Sequence, residues 1–396
     1  MKLFTTLLLS LLFWNTGFSQ PDNTLSATDM LKKVYNKLSS YTSISYTYHH
    51  ETWYYGDNYH YVTDATLLLQ YSEKYPGGFR FQASGNNTKQ VFNGNLLINL
   101  YPRDNTMDTS SINSLTKLNS NSFLYHSIGM LRNVLPQVIE DTSFRKSIQD
   151  TVLEGKPFYC IRMEKPGVAL GLFKGTSAYK IPQLQRPYFL IIDKNSLLPY
   201  QFISKYIRGN DDKDFVAVTY NNINIHPQEP MASSWQLNSY TPSYSFKAEE
   251  KKTPVKPGTI MPDFTLPAYS PQKTTSISLQ QFSGKLVLLD FWFKSCGYCM
   301  EAMPHYNELQ RRFDKKDFEL VTVNIMDSIS DIKFFYNKFN PDYPMLYNGG
   351  KLFDQLGFSG CPSSVLIDRN GKILQTFQGF NRETIEKQIS QLINNK

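Results

Sequence analysis

The stretch KLVLLDFWFKSCGYCMEAMP, residues 285–304, constrains this chain more than any other. Between Leu286 and Phe293 only Asp290 is polar. An apolar run without alternation is what a strand covered on both faces requires, and such strands belong to sheets with helices packed on either side. Cys296 and Cys299 follow directly, where the pattern predicts a helix over about 297–314. Any fold for this region must therefore carry a pair of thiols from the end of a buried strand to the start of a helix.

That position has chemical content. A helix N-terminus carries partial positive charge and unpaired N–H groups, which stabilise a thiolate and lower the pKa of a cysteine placed there. Cys299, one turn further on, can return its sulfur to Cys296. The spacing suits reversible two-electron exchange through a mixed disulfide, the first cysteine attacking and the second resolving. Two other readings compete. A zinc site needs four ligands; His305 and Cys361 are the additions on offer, without a second CxxC or a His pair. A purely structural staple closing so short a loop stabilises little, because the gain grows with loop length.

The sequence around this stretch reads as α/β. FELVTVNI (318–325) is a second buried strand, and SISDIKFFYNKF (328–339) sets Ile332, Phe335, Tyr336 and Phe339 on one helical face, with Ser330 as its cap. SSVLIDRNGKILQTF (363–377) is a hairpin turning at Asn370-Gly371, and residues 381–393 form a helix with Ile385, Ile389 and Leu392 on its apolar face. Strand, helix, strand, helix, hairpin, helix is the order of a mixed central sheet.

Upstream, SFKAEEKKTPVKPG (245–258) is charged, Pro-containing and nearly devoid of apolar residues, as a linker is. Residues 20–244 open on a helix at 26–40 capped by Ser26 or Thr28. Strands are expected at 43–50, 66–72 and 78–84, with a hairpin at Asn93-Gly94, a mostly helical patch at about 113–150, and further strands at 158–164, 187–207 and 215–225. The expectation is a two-domain chain: an α+β domain with a large curved antiparallel sheet, then an α/β domain over 259–396. Hydrophobic residues at 41% against 19% charged can fill two cores, and the 14% aromatic content favours sheet. The net charge of +7 is scattered rather than blocked, which argues against a nucleic-acid partner.

The N-terminus has the pattern of a signal peptide over residues 1–19: Lys2, an apolar run at 3–14, and small Gly17 and Ser19 ahead of Gln20. No cysteine follows that run, so a lipid-anchored form is not expected. Export to the periplasm or cell envelope is the expectation. Four cysteines in 396 residues are too few for a disulfide scaffold.

Taken together, residues 259–393 resemble the thioredoxin fold, and within it the exported TlpA/ResA-type reductases of the redoxin superfamily. The resemblance rests on MPDFTL (261–266), Asp290 six residues before Cys296, Trp292 at the strand end, Pro304 eight residues after Cys296, GCPSSVLID (360–368), and an inserted helix and strand between 328 and 347. It implies that Asp290 is a buried proton acceptor and donor for Cys299. It also implies that Pro362 is a cis residue whose neighbouring backbone groups pair with an extended substrate, and that Cys361 and Trp292 line the substrate site with it. No cofactor and no metal is implied.

The chain departs from that pattern in places. Ser295 stands where a tryptophan commonly precedes the first cysteine, and the intervening pair is Gly297-Tyr298, which brings no positive charge and leans toward a reductant. Cys361 precedes the proline, where it is either a third redox thiol or a small residue in the groove wall. Glu301 is a candidate acid, although a helix-surface Glu is more often only solvated. A thiol peroxidase would need Thr or Ser three residues before its cysteine, and Phe293 occupies that position.

The N-terminal part is similar, in short motifs, to the half-barrel of LolA-type lipoprotein carriers: a helix leading into a strand, then KQVFNGNLLINLYP and YFLIIDKNSLLPYQF. That likeness implies an apolar ligand on the sheet face, though aromatic strand positions are also ordinary core. His49, His50 and His60 with Glu51 invite a metal reading, but adjacent histidines on a strand point to opposite faces. Cys160 reads as an inert buried thiol. The expected activity is thiol–disulfide oxidoreduction on protein thiols and disulfides, with an unidentified membrane or periplasmic electron donor. The alternative is a carrier-like binding protein with an accessory thioredoxin-like module.

Overall fold

The computed structural model describes residues 26–75, 78–173, 175–178, 184–247 and 252–394. The proposed signal segment, residues 1–19, lies outside them. The chain divides into two compact units with the boundary after Lys247, the Trp53–His60 segment being counted with the second.

The first unit is built on a thirteen-stranded, largely antiparallel sheet. Its central strands, Ser43–Tyr54 and Tyr59–Tyr71, are longer than the sequence pattern indicated. Helices Ala27–Ser39 and Ile128–Glu140 pack on one face through Met30, Leu31, Val34, Leu131 and Val134, against Leu67, Leu69 and Phe81. Ser26 caps the first helix, accepting from Asp29 N–H. The Asn93-Gly94 turn joins Lys89–Phe92 to Leu96–Tyr101, with Gly94 at φ 111° where a side chain would be strained. The helical patch expected at 113–150 is corrected. It holds a 3₁₀ turn at Leu115–Ser120 and a helix at Ile128–Glu140, but Arg145–Leu153 is a strand on the sheet edge, paired with Lys156–Glu164. Turn geometry explains the difference: Glu154 and Gly155 both have positive φ, which closes a tight hairpin and stops a helix.

The 245–258 segment is held at both ends. Ser245–Phe246 pairs in parallel with Thr106–Met107, while Val255 N–H donates to Leu356 O and Gly258 N–H to Ile373 O. Residues 248–251 lie outside the described residues.

The second unit has a seven-stranded mixed sheet in the order Thr275–Ser278, Thr265–Ala268, Met345–Leu346, Phe318–Asn324, Leu286–Trp292, Ser363–Ile367, Ile373–Gln378. Leu286–Trp292 and Phe318–Asn324 are parallel, and every residue in both is buried. Period-two alternation splits the central strand between two cores. Leu286, Leu288 and Trp292 pack with helices Gly297–Arg311, Ile329–Phe339 and Arg382–Asn394. Val287, Leu289 and Phe291 pack with Phe282, Leu352, Phe353 and Phe358 on the other face. Truncating one of these buried aromatics to alanine costs about 3–5 kcal/mol. Helix Ile329–Phe339 is capped by Ser328, in a reciprocal box with Asp331, rather than by Ser330. Ser330 sits inside the first turn, and its hydroxyl meets that of Ser328.

Candidate active site

Cys296 is the N-cap of helix Gly297–Arg311 and holds the extended backbone a cap requires, φ −85°, ψ 98°. Its sulfur accepts a hydrogen bond from Cys299 N–H at 3.2 Å and is bonded to Cys299 Sγ, with the two Cα atoms 5.2 Å apart. Both cysteines are buried, Cys296 at 6% exposure and Cys299 at 1%. The first residue of the pair is thus the one nearer solvent, as an attacking thiol must be. Tyr298, between them, projects outward at 74% exposure. Glu301 is also exposed.

The loop before the helix is tied to the end of the neighbouring strand. Lys294 N–H donates to Asp327 Oδ2 at 2.6 Å, Asn324 Nδ2 donates to the same oxygen at 2.7 Å, and Lys294 Nζ pairs with Asp331 Oδ1 at 2.9 Å. Ile325 N–H donates to Trp292 O. These contacts fix where the strand hands over to the cysteines.

Asp290 lies on the same sheet face as Leu288 and Trp292, beneath the cysteine-bearing helix, and is 2% exposed. Burial lifts its pKa from 3.8 to about 7, and the nearby Tyr306 and Ser364 hydroxyls pull the other way. Register places Thr322 beside it on the parallel strand and Ser364 on the antiparallel one. Asp290 has no ion pair among the described residues.

The Cys361–Pro362 peptide bond is cis. Pro362 itself is buried, and its carbonyl accepts from Gly379 N–H at 2.8 Å. The partly exposed residue here is therefore Cys361, a free thiol whose pKa is pushed up to about 12 by burial and by the Asp290 and Asp327 charges. Such a thiol stays protonated near neutral pH. Trp292, grouped above with the substrate-contacting residues, is corrected. It has no exposed surface and packs edge to face on Phe335, so it supports the site from within the core.

The remaining candidates are dispersed. His305 Nδ1 lies 3.0 Å from Arg382 Nη1, and its ring stacks on Phe380, so it is engaged away from the cysteines. In the first unit, His49 pairs with Asp64 at 2.7 Å and His50 contacts the Thr52 hydroxyl; within the Trp53–His60 segment, His60 stacks on Trp53. Among the described residues no three metal-ligating side chains converge. Cys160 is buried, and burial raises its pKa to about 11. The sequence reading missed Tyr306, Tyr343, Ser364 and Thr322 around Asp290. Tyr306 alone left a trace, seven residues after Cys299 and so on the same helical face.

A strand-end dithiol on a helix cap, a buried acid below it and a cis-proline loop beside it define a thioredoxin-like oxidoreductase site. Comparison with known proteins agrees: residues 256–393 match the Redoxin family model, and this C-terminal domain is that of a thioredoxin-like oxidoreductase. Over 149 residues the chain is 29% identical to the thiol-disulfide oxidoreductase ResA of Bacillus cereus, covering 37% of this chain and 83% of the relative. It is 29% identical over 144 residues to ResA of Geobacillus thermodenitrificans, covering 36% and 81%. Among solved structures, a Chlorobium tepidum protein assigned as a DsbE-type thiol:disulfide interchange protein is 31% identical, covering 35% of this chain and 99% of that one, with a TM-score of 0.33.

Proposed function

We propose that this chain is an exported thiol–disulfide oxidoreductase that reduces protein disulfides through Cys296 and Cys299. The observation that carries the reading is the bond between these cysteines at a helix start, above the buried Asp290. In the reduced enzyme the Cys296 thiolate attacks one sulfur of a client disulfide, forming a mixed disulfide and releasing one client thiolate. Cys299 then gives its proton to the Asp290 carboxylate and attacks Cys296 Sγ. The Cys296–Cys299 bond forms, the second client thiolate leaves and takes up a proton, and the client has gained two electrons. A dithiol donor in the cell envelope returns the enzyme to its reduced form. Export rests on the residue 1–19 pattern; no helix among the described residues is long and apolar enough to cross a membrane.

The test is insulin reduction by the mature protein with a dithiol donor. The parent is expected to precipitate insulin chains and Cys296→Ser to lose that activity. Equal rates would reject the reading.

One observation favours a ligand-binding role for the first unit. A cavity of about 400 Å³ lies there, walled by Phe79, Leu115, Leu124, Leu172 and Phe173, with Arg132 at its polar side. Arg132 stacks on Tyr71 and donates to Leu38 O and Tyr41 O, and Glu73 and Asn133 also line the cavity, so a ligand there would meet apolar walls and a polar side together. That keeps the carrier-like alternative open as a second activity of the same chain. Saturable binding of a fluorescent alkyl probe, weakened by Leu124→Trp, would support it; an absence of saturable binding would remove it.

A further inference from the structure

The surroundings of Asp290 hold more polar chemistry than proton exchange with Cys299 uses. A carboxylate can be ionised inside a protein only if a cation or hydrogen-bond donors replace water. No cation pairs with Asp290 among the described residues, so donors must do so. Four hydroxyls surround it. Thr322 and Ser364 flank it in the sheet, and Tyr306 descends from the cysteine-bearing helix. Tyr343 stands edge to face with Tyr306, ring centroids 6.1 Å apart. Asp290 Oδ2, Thr322 Oγ1, Tyr306 Oη and Tyr343 Oη are all buried, and among the described residues none of them completes a well-formed hydrogen bond, although the Tyr306 and Ser364 hydroxyls already stand close enough to Asp290 to favour its ionised form. A buried carboxylate needs donors close by to ionise, and these hydroxyls are the ones the fold places around it.

We propose that Tyr306 and Tyr343 are positioning residues for Asp290: their hydroxyls close on the carboxylate when it ionises and so set the pH range over which Cys299 exchanges its proton. This rests on the role given to Asp290 above. The titratable groups facing Asp290 are Cys299 and Tyr306 from the helix, Cys361 from the cis-proline loop, and Tyr343 from the 340–344 loop; Asp327 lies near Cys361 and Asp342 near Tyr343. None of these is a cation. Burial holds both phenols above their ordinary range, so they remain donors wherever Asp290 titrates. A tyrosine also keeps its place better than water would, since its ring is locked in the core by Phe380 and its neighbour.

The test follows the Asp290 carboxyl by carbon NMR in the oxidised protein and, separately, the pH profile of mixed-disulfide resolution. Tyr306→Phe preserves ring packing and removes one donor worth about tenfold in the ionisation equilibrium. The Asp290 midpoint is expected to rise by about one pH unit, and the resolution profile to move alkaline by the same amount. Tyr343→Phe should shift both in the same direction by less. If both variants fold and neither moves the Asp290 midpoint by more than about 0.2, the proposal is overturned. Should Tyr306→Phe fail to fold, Tyr343→Phe decides alone. The carboxyl titration needs no turnover, so a parent inactive toward insulin would remove the proposed function while this measurement still decides the role of the two tyrosines.

Discussion

Cys296 and Cys299 are joined twice, by the bond between their sulfurs and by the hydrogen bond from Cys299 N–H to Cys296 Sγ. The second link outlives the first. On reduction the Cys296 sulfur remains at the helix cap, facing an N–H donor and the positive end of the helix. Cys299, deeper and inside the first turn, lacks that environment.

Alkylation therefore separates the thiols. In the reduced protein near neutral pH, iodoacetamide is expected to label Cys296 at least tenfold faster than Cys299, with Cys361 and Cys160 slower still because burial keeps both protonated. Peptide mapping against time checks this order, and Cys299 labelling first would reverse the assignment of attacker and resolver.

Asp290 links chemistry to stability. Its pKa is raised in the fold, so between pH 3.8 and about 7 the folded carboxyl keeps a proton that the unfolded chain has released. Stability is accordingly lost as pH rises through that window. Asp290→Asn removes the loss: urea unfolding should show little difference from the parent near pH 4 and a variant more stable by up to about 4 kcal/mol above pH 7. The same substitution should slow resolution of the mixed disulfide about a hundredfold. A variant less stable than the parent at pH 8, or unchanged in resolution, would make Asp290 a structural residue only.

Cys361 is expected to stay out of the exchange. Replacing it with Thr should leave the reduction potential of the 296–299 pair unchanged, and mass spectrometry of the oxidised parent should find no substantial bond to Cys361. Detection of such a bond would make this a three-thiol enzyme.

Asp327 anchors the cysteine loop through one oxygen that accepts from both Lys294 N–H and Asn324 Nδ2. Asp327→Ala leaves two part-buried donors without this acceptor and should cost about 1 kcal/mol in urea unfolding. Insulin turnover should fall with it, since the loop that presents Cys296 loses its tether. Unchanged stability and rate would show that the Lys294 side chain and Asp331 suffice.

How much of this the sequence shows depends on what each residue's signal is made of. Leu286–Trp292 was legible because burial on both faces leaves no polar position but Asp290, and Cys296 because cap and motif coincide. Arg145–Leu153 was not: an edge strand with neither face fully covered carries no alternation, and only the Glu154-Gly155 turn marks it. Ser328 and Ser330 differ in capping by two residues, less than periodicity resolves. Ser364 and Thr322 could not be found at all, since only strand register, set by chain segments far apart in sequence, brings them beside Asp290. Trp292 was misread because a residue at a strand end can face either solvent or core, and the helix carrying Phe335 decides which.

The alternation of Leu286–Trp292 between two cores makes the site a matter of parity. Asp290 lies on the face covered by the cysteine-bearing helix only because an even number of positions separates it from Leu288 and Trp292, which share that face. Deleting one residue ahead of Asp290 while the rest of the strand kept its pairing would turn the carboxyl toward Phe353 and Phe358, into the opposite apolar core and away from Tyr306 and Ser364. Chain length in this strand is thus under a stricter constraint than side-chain identity. A Leu exchanged for Ile or Val leaves the acid where it is, whereas a single codon lost would leave every residue of the motif present and the acid on the wrong side of the sheet.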